Sequence, residues 1–153
     1  MYKIIKFSYW LSIPIFLASL MYVYAMLPNI IGVLFDGNGG VEYQSNKSTL
    51  FYVSMAFFIG VNFLIRLYQN INKRHQGIDA NNLDEISKEA ESFHWFTGLS
   101  LFLNMTLTFL LFFIGIYHSR DIDVNQYWFL IYLGPLFLLG WFFYGIYFRF
   151  FAK

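Results

Sequence analysis

The side chains that could do chemistry in this chain are three histidines, a run of carboxylates and two asparagines inside apolar segments. His75, His94 and His118 raise the question of haem or metal ligation. His94 and His118 are separated by about 36 Å of helix at 1.5 Å per residue, too far to share one ion within a single chain. His75 and His94 fall on the same side, but no third ligand at a fixed spacing accompanies them. His94-Trp95-Phe96 reads instead as an interfacial anchor. Asp84, Glu85, Glu89 and Glu91 alternate with Lys88, which suits a solvated helix face or a docking face for a basic partner rather than buried acid–base work. Asp36, Glu42, Asp121 and Asp123 could gather a cation, yet they lack the complete oxygen set that calcium needs. Gly37, Gly39 and Gly40 are not followed by Gly-Lys-Ser/Thr, so they do not make a phosphate loop. Cysteine is absent, which removes disulfides, thiolate metal sites and cysteine nucleophiles. No other nucleophile has a neighbouring base. The expectation is a protein without cofactor or metal that is not an enzyme.

The elements that must position these residues are set by solvent. Of 153 residues, 58% are hydrophobic and 12% are charged, about half the charged share of a soluble domain. Mean hydropathy is +0.52. A chain this short cannot hide so much apolar surface in a water-soluble core. The net charge of +1 offers no basic field for nucleic acid. Twenty Phe and twelve Tyr suit lipid-facing and interfacial positions. The expected fold is therefore an all-α integral membrane domain of four transmembrane helices, with the lipid bilayer as its first partner.

The third span is the most informative. Residues 96–117 carry no charge, but Thr97, Ser100, Asn104 and Thr108 recur at steps of three or four and so share one helical face. Gly115 falls near the same stripe. This face is expected to meet other helices, while the opposite face of Phe and Leu turns to lipid. Asn104, with Asn62 of the second span, is expected to form interhelical hydrogen bonds.

In chain order, Lys3 and Lys6 precede a first span at about 7–26. It is too long for a signal-peptide core, lacks a clean cleavage site, and is expected to kink at Pro14. An outer loop follows at 27–48. Its Asn38-Gly39-Gly40 is turn chemistry, its IIGVLF piece is either a strand or interfacial, and its Asn46-Lys47-Ser48 is a formal glycosylation sequon. The second span is about 49–67. There Ala56 and Gly60 form a small-xxx-small pair, Ser54, Phe58 and Asn62 share a face, and Arg66 can snorkel to headgroups. An inner loop occupies 68–95, with a helix start capped by Asn82 and Glu85 that runs on into the third span at about 96–117. An outer turn at 118–126 leads to the fourth span at about 127–148. Here Gly134, Leu138, Trp141 and Gly145 form a face able to admit a helix.

Orientation follows from Lys and Arg alone. With the N-terminus inside, Lys3, Lys6, Arg66, Lys73, Arg74, Lys88, Arg149 and Lys153 lie on inner segments, and only Lys47 and Arg120 lie outside. Both termini are expected in the cytoplasm.

Leu27-Pro28, Phe35, Gly39, Glu42 and Lys47 resemble the LP-x5-HF-x3-G-x2-D-x4-K pattern of a bacterial membrane domain of unassigned function, found at the N-terminus of SdpI-type toxin-immunity proteins. The resemblance covers the first span, the loop and the second span. Leu34 stands where the family has histidine, and Glu42 where it has aspartate, so an activity resting on that histidine would be missing here. The resemblance implies a bacterial cytoplasmic (inner) membrane protein. Three functions are expected in order: an accessory or regulatory subunit acting through contacts with other integral membrane proteins; an immunity or sensing protein; and a small oligomeric transporter lined by Asn104 and Thr108.

Overall fold

A computed structural model describes residues 2–35, 40–75, 83–118, 127 and 129–151; of these, the side chains at 2, 33, 35, 72–75, 83–91 and 148–151 are outside it as well. The chain forms α1 (Tyr2–Met26), a hairpin of β1 (Ile30–Phe35) and β2 (Val41–Asn46), then α2 (Lys47–His75), α3 (Leu83–Tyr117) and α4 (Phe129–Phe151). All four helices are long and apolar enough to cross a membrane. They overrun the expected spans at several ends, because backbone hydrogen bonding continues after the apolar pattern stops. Much of the stretch expected as an inner loop, 68–95, is thus helical, and α1 begins five residues before its apolar run. Pro14 sits inside an uninterrupted α1. It leaves one backbone acceptor a turn earlier without its N–H.

Direction can be read from side-chain pairs. Tyr9 meets Asn62, Phe16 meets Phe58 and Tyr24 meets Phe51, so α1 and α2 run oppositely. Asn104 meets Ser12 and Gly115 meets Val23, so α3 runs parallel to α1. Trp95 meets Phe142 and Phe102 meets Phe137, so α4 is antiparallel to α3. The helices therefore alternate up and down, and α3 packs on all three others. The central core is Phe16, Leu20, Val23, Leu27, Ile31, Phe58 and Leu111. Phe16 and Phe58 stack with ring centroids 4.2 Å apart.

The segment expected as an outer loop is largely a hairpin. β1 and β2 pair antiparallel from Ile30↔Asn46 to Phe35↔Val41, with irregularities around Leu34. An isolated two-stranded hairpin is marginal in water. Here Ile31, fully buried, anchors it in the helical core. Its foot is closed by Lys47, whose N–H donates to the Asn29 carbonyl at 3.1 Å and whose ammonium donates to the Leu27 carbonyl at 3.3 Å. The same ammonium lies 5.1 Å from the Tyr24 ring centroid.

The bulky face of α3 does not simply face outward, as expected; α4 covers much of it. Phe102 lies between Phe137 and Trp141, and Phe113 is buried. Glycines make this approach possible. Gly98 receives the Trp141 ring, Gly145 receives the Trp95 indole, and Gly134 lies against Thr106. A Cβ at Gly134 would stand 2.8 Å from the Thr106 Cα, a backbone atom that cannot turn aside. Gly140, on the same helix, has nothing within 4 Å. Gly134→Ala is expected to destabilise the fold by about 1–3 kcal/mol through overpacking, with Gly140→Ala close to neutral; thermal unfolding of the two variants in one detergent checks this.

Candidate functional site

Hydroxyls and amides inside apolar helices must be satisfied within the protein, because no water reaches them at membrane depth. Threonine and serine do this locally. Thr97, Thr106 and Thr108 donate to the carbonyls of Phe93, Phe102 and Asn104, and Ser19 donates to Ile15, each four residues back. A carboxamide has two donors and an acceptor and cannot be satisfied that way.

Asn104 is 1% exposed and lies where α1, α2 and α3 meet. Its Nδ2 donates to Ser12 Oγ at 3.0 Å, and its Oδ1 accepts from Asn62 Nδ2 at 2.9 Å. A longer 3.5 Å contact runs from Asn104 Nδ2 to Asn62 Oδ1. The Ser12 hydroxyl in turn donates to the Tyr9 carbonyl at 2.7 Å. Asn62 Nδ2 also donates to the Phe58 carbonyl at 2.8 Å, and the Tyr9 hydroxyl donates to Asn62 Oδ1 at 3.3 Å. One residue or pair from each of three helices thus closes on the others. The partners are found inside the chain, and no group of three or more His, Cys, Asp or Glu gathers among the described residues.

A second polar contact ties α2 to α3 nearer the chain ends. Buried Gln69 donates to the Phe93 carbonyl at 3.3 Å and approaches Thr97 Oγ1 at 3.5 Å. Across α3, the Trp141 indole donates to the Trp95 carbonyl at 3.0 Å.

At the other end, His118 is a fastener for the hairpin. Its Nε2 accepts from the Gly32 N–H at 2.8 Å, and its Nδ1 lies 2.9 Å from the Ile114 carbonyl. That pattern places the ring proton on Nδ1, where it donates to Ile114, and leaves Nε2 as the acceptor. Nothing in local spacing could have joined Gly32 to a side chain 86 residues away. The same holds for Ser12, Tyr9 and Gln69, which lie among apolar or loop residues without a pattern of their own.

Of the residues singled out in sequence, Asn62, Thr97, Ser100, Asn104 and Thr108 lie on interhelical faces, the last four buried. A Cβ on Gly115 would stand 3.3 Å from a Val23 methyl, and Gly134 and Gly145 receive α3 side chains. Ala56 and Gly60 are different: Ala56 is exposed, and a Cβ on Gly60 would meet nothing within 4 Å. In the loop, Leu27 is in the core, Pro28 is exposed, Phe35 pairs with Val41 at the strand end, Glu42 is exposed on β2, and Lys47 closes the foot. Gly39, Asp36, Asn38, Asn82, Asp121 and Asp123 lie outside the described residues, as do the side chains of His75, Asp84, Glu85, Lys88, Glu89 and Glu91.

Asn104→Leu removes the hydrogen bonds that cross between helices and leaves Ser12 and Asn62 facing hydrocarbon. Interhelical bonds of this kind average roughly 0.6 kcal/mol each, so a loss of about 2 kcal/mol is expected. Unfolding by titration with a denaturing detergent measures it, and Thr108→Ala, which loses only a bond within its own helix, should cost well under half as much. No family model, no curated protein and no solved structure matches this chain.

Proposed function

We propose that this chain is an integral protein of the bacterial cytoplasmic membrane that works through contact with other membrane proteins, as an accessory or regulatory subunit and not as an enzyme. The observation that carries the reading is an imbalance in packing. Over an apolar 18-residue stretch of each helix, α1 and α3 bury 33% and 39% of their residues inside the chain, whereas α4 buries 11% and α2 only 6%. The outward face of α2 holds Tyr52, Val53, Ala56, Phe57, Gly60 and Phe63, with open space over Gly60. Large residues flanking a small-xxx-small pair are what a second helix needs to approach closely in lipid.

The orientation argument supports cytoplasmic termini. Exposed Lys3, Lys6 and Arg66 share one end of the bundle, and Lys47 stands at the other. A second reading, immunity or sensing at the outer surface, is favoured by the hairpin, since the resembling loop is a built element fastened by Lys47 and His118. A transport path lined by Asn104 and Thr108 is disfavoured, because those two side chains spend their hydrogen bonds on the protein.

Purification from membranes in mild detergent, followed by mass analysis, tests the first reading. The wild type is expected in a complex larger than one copy, and Ala56→Leu with Gly60→Leu is expected to release it as a folded monomer with unchanged thermal stability. A monodisperse wild-type monomer with no co-purifying protein would overturn the proposal.

A further inference from the structure

Arg66 is exposed on α2, seven residues before Lys73, about 10 Å along the helix from the charged end. Its guanidinium lies 5.2 Å from the Tyr9 ring centroid and 5.9 Å from that of Trp10. Among the described residues it forms no ion pair or hydrogen bond, and its five planar donors meet only aromatic faces there. Charged groups near the apolar region are held by a partner, and among the described residues Arg66 meets the ring faces of Tyr9 and Trp10.

The rings are a rigid seat. Tyr9 is 5% exposed, and its hydroxyl is held by Asn62, one helical turn from Arg66. The guanidinium of α2 thus lies over two rings of α1, across the groove between the two helices. Trp10 is exposed beside it, and exposed Lys6 and Lys3 follow on α1, one and two turns nearer the chain end. Glu42, the only carboxylate among the described side chains, sits on the hairpin at the opposite end.

We infer that Arg66, seated on Tyr9 and Trp10 with Lys6 beside it, forms a binding site for the phosphodiester of an anionic lipid headgroup at the end of the α1–α2 groove. A guanidinium matches phosphate oxygens with two parallel N–H donors, which an ammonium cannot do. The depth matches a headgroup whose acyl chains lie along the exposed apolar surface of α1 and α2, where Phe7, Leu11, Phe63 and Leu67 are exposed. The neighbouring lysines favour a lipid of net negative charge over a zwitterionic one. This inference rests on the membrane reading above.

The test is native mass spectrometry of the full chain in mild detergent. Phosphatidylglycerol and phosphatidylcholine of identical acyl chains are added in separate arms, and inorganic phosphate in a third. Recovery of the protein from carbonate-washed membranes is scored first, so that failure of the membrane reading shows itself separately. Wild type is expected to retain phosphatidylglycerol about fivefold over phosphatidylcholine, on the scale of one basic residue at a charged surface. Arg66→Gln should erase that preference and Arg66→Lys should keep only part of it, with both variants eluting as wild type. Equal retention of the two lipids by wild type, or an unchanged preference in Arg66→Gln, overturns the site. Displacement of the lipid by millimolar phosphate would assign the site to a soluble anion and overturn the lipid assignment. Should Arg66→Gln fail to fold, Lys6→Gln with Lys3→Gln is read in its place: these exposed lysines should lower the preference and leave elution unchanged, and an unaltered preference counts against the site.

Discussion

A buried carboxamide has no way to satisfy itself within its own helix, and that constraint organises this bundle. Asn104 must find a donor and acceptors on neighbouring helices, and it finds them in Ser12 of α1 and Asn62 of α2. Those two groups are in turn held by Tyr9 and by the backbone at Tyr9 and Phe58. Between apolar helices in lipid there is little hydrophobic force to choose one rotation over another. Rotating α3 by one residue would strand all three polar side chains, whereas Leu and Phe would repack at modest cost. The network therefore sets helix register, and the stacked Phe16–Phe58 pair and the Leu20–Val23–Leu111 cluster fill the space that register leaves.

The other side of α3 obeys a different rule. There the Trp141 indole donates to the Trp95 carbonyl, and the fit to α4 is chiefly one of size: Trp95 and Thr106 lie on Gly145 and Gly134, and Trp141 lies on Gly98. Two interfaces of one helix thus differ in emphasis: a side-chain hydrogen-bond network toward α1 and α2, and close steric fit with one indole hydrogen bond toward α4. With α2 held chiefly through Asn62, Gln69 and Phe58, most of its circumference is left uncovered. The least buried helix also carries exposed Arg66, which lies over the Tyr9 and Trp10 rings of α1.

Composition and spacing made the four helices legible, since long uncharged runs admit few other structures. The stripe of Thr97, Ser100, Asn104 and Thr108 was legible for the same reason: a period of three to four residues survives in one dimension. Its partners were not. Ser12 and Tyr9 are single polar groups in an apolar run, and Gln69 falls among loop-like residues, so only the three-dimensional meeting of helices gives them a role. The hairpin was open as a strand or an interfacial piece, because six apolar residues carry too little period to decide. It is settled by contacts from afar, Ile31 in the core and Gly32 on His118. Glycines divided along similar lines: those at 134 and 145 sit against Thr106 and Trp95 of α3, while among the described residues nothing lies within 4 Å of where a Cβ on Gly60 would stand.

The central claim is that lipid solvates four spans whose register places Phe16 of α1 against Phe58 of α2. Because the chain has no cysteine, Phe16→Cys with Phe58→Cys gives a clean cross-linking pair. In carbonate-washed membranes this pair should form an intramolecular disulfide on oxidation, while Phe16→Cys with Phe143→Cys, on the exposed side of α4, should not. Loss of the protein to the carbonate wash, or cross-linking of the second pair in place of the first, would contradict the account.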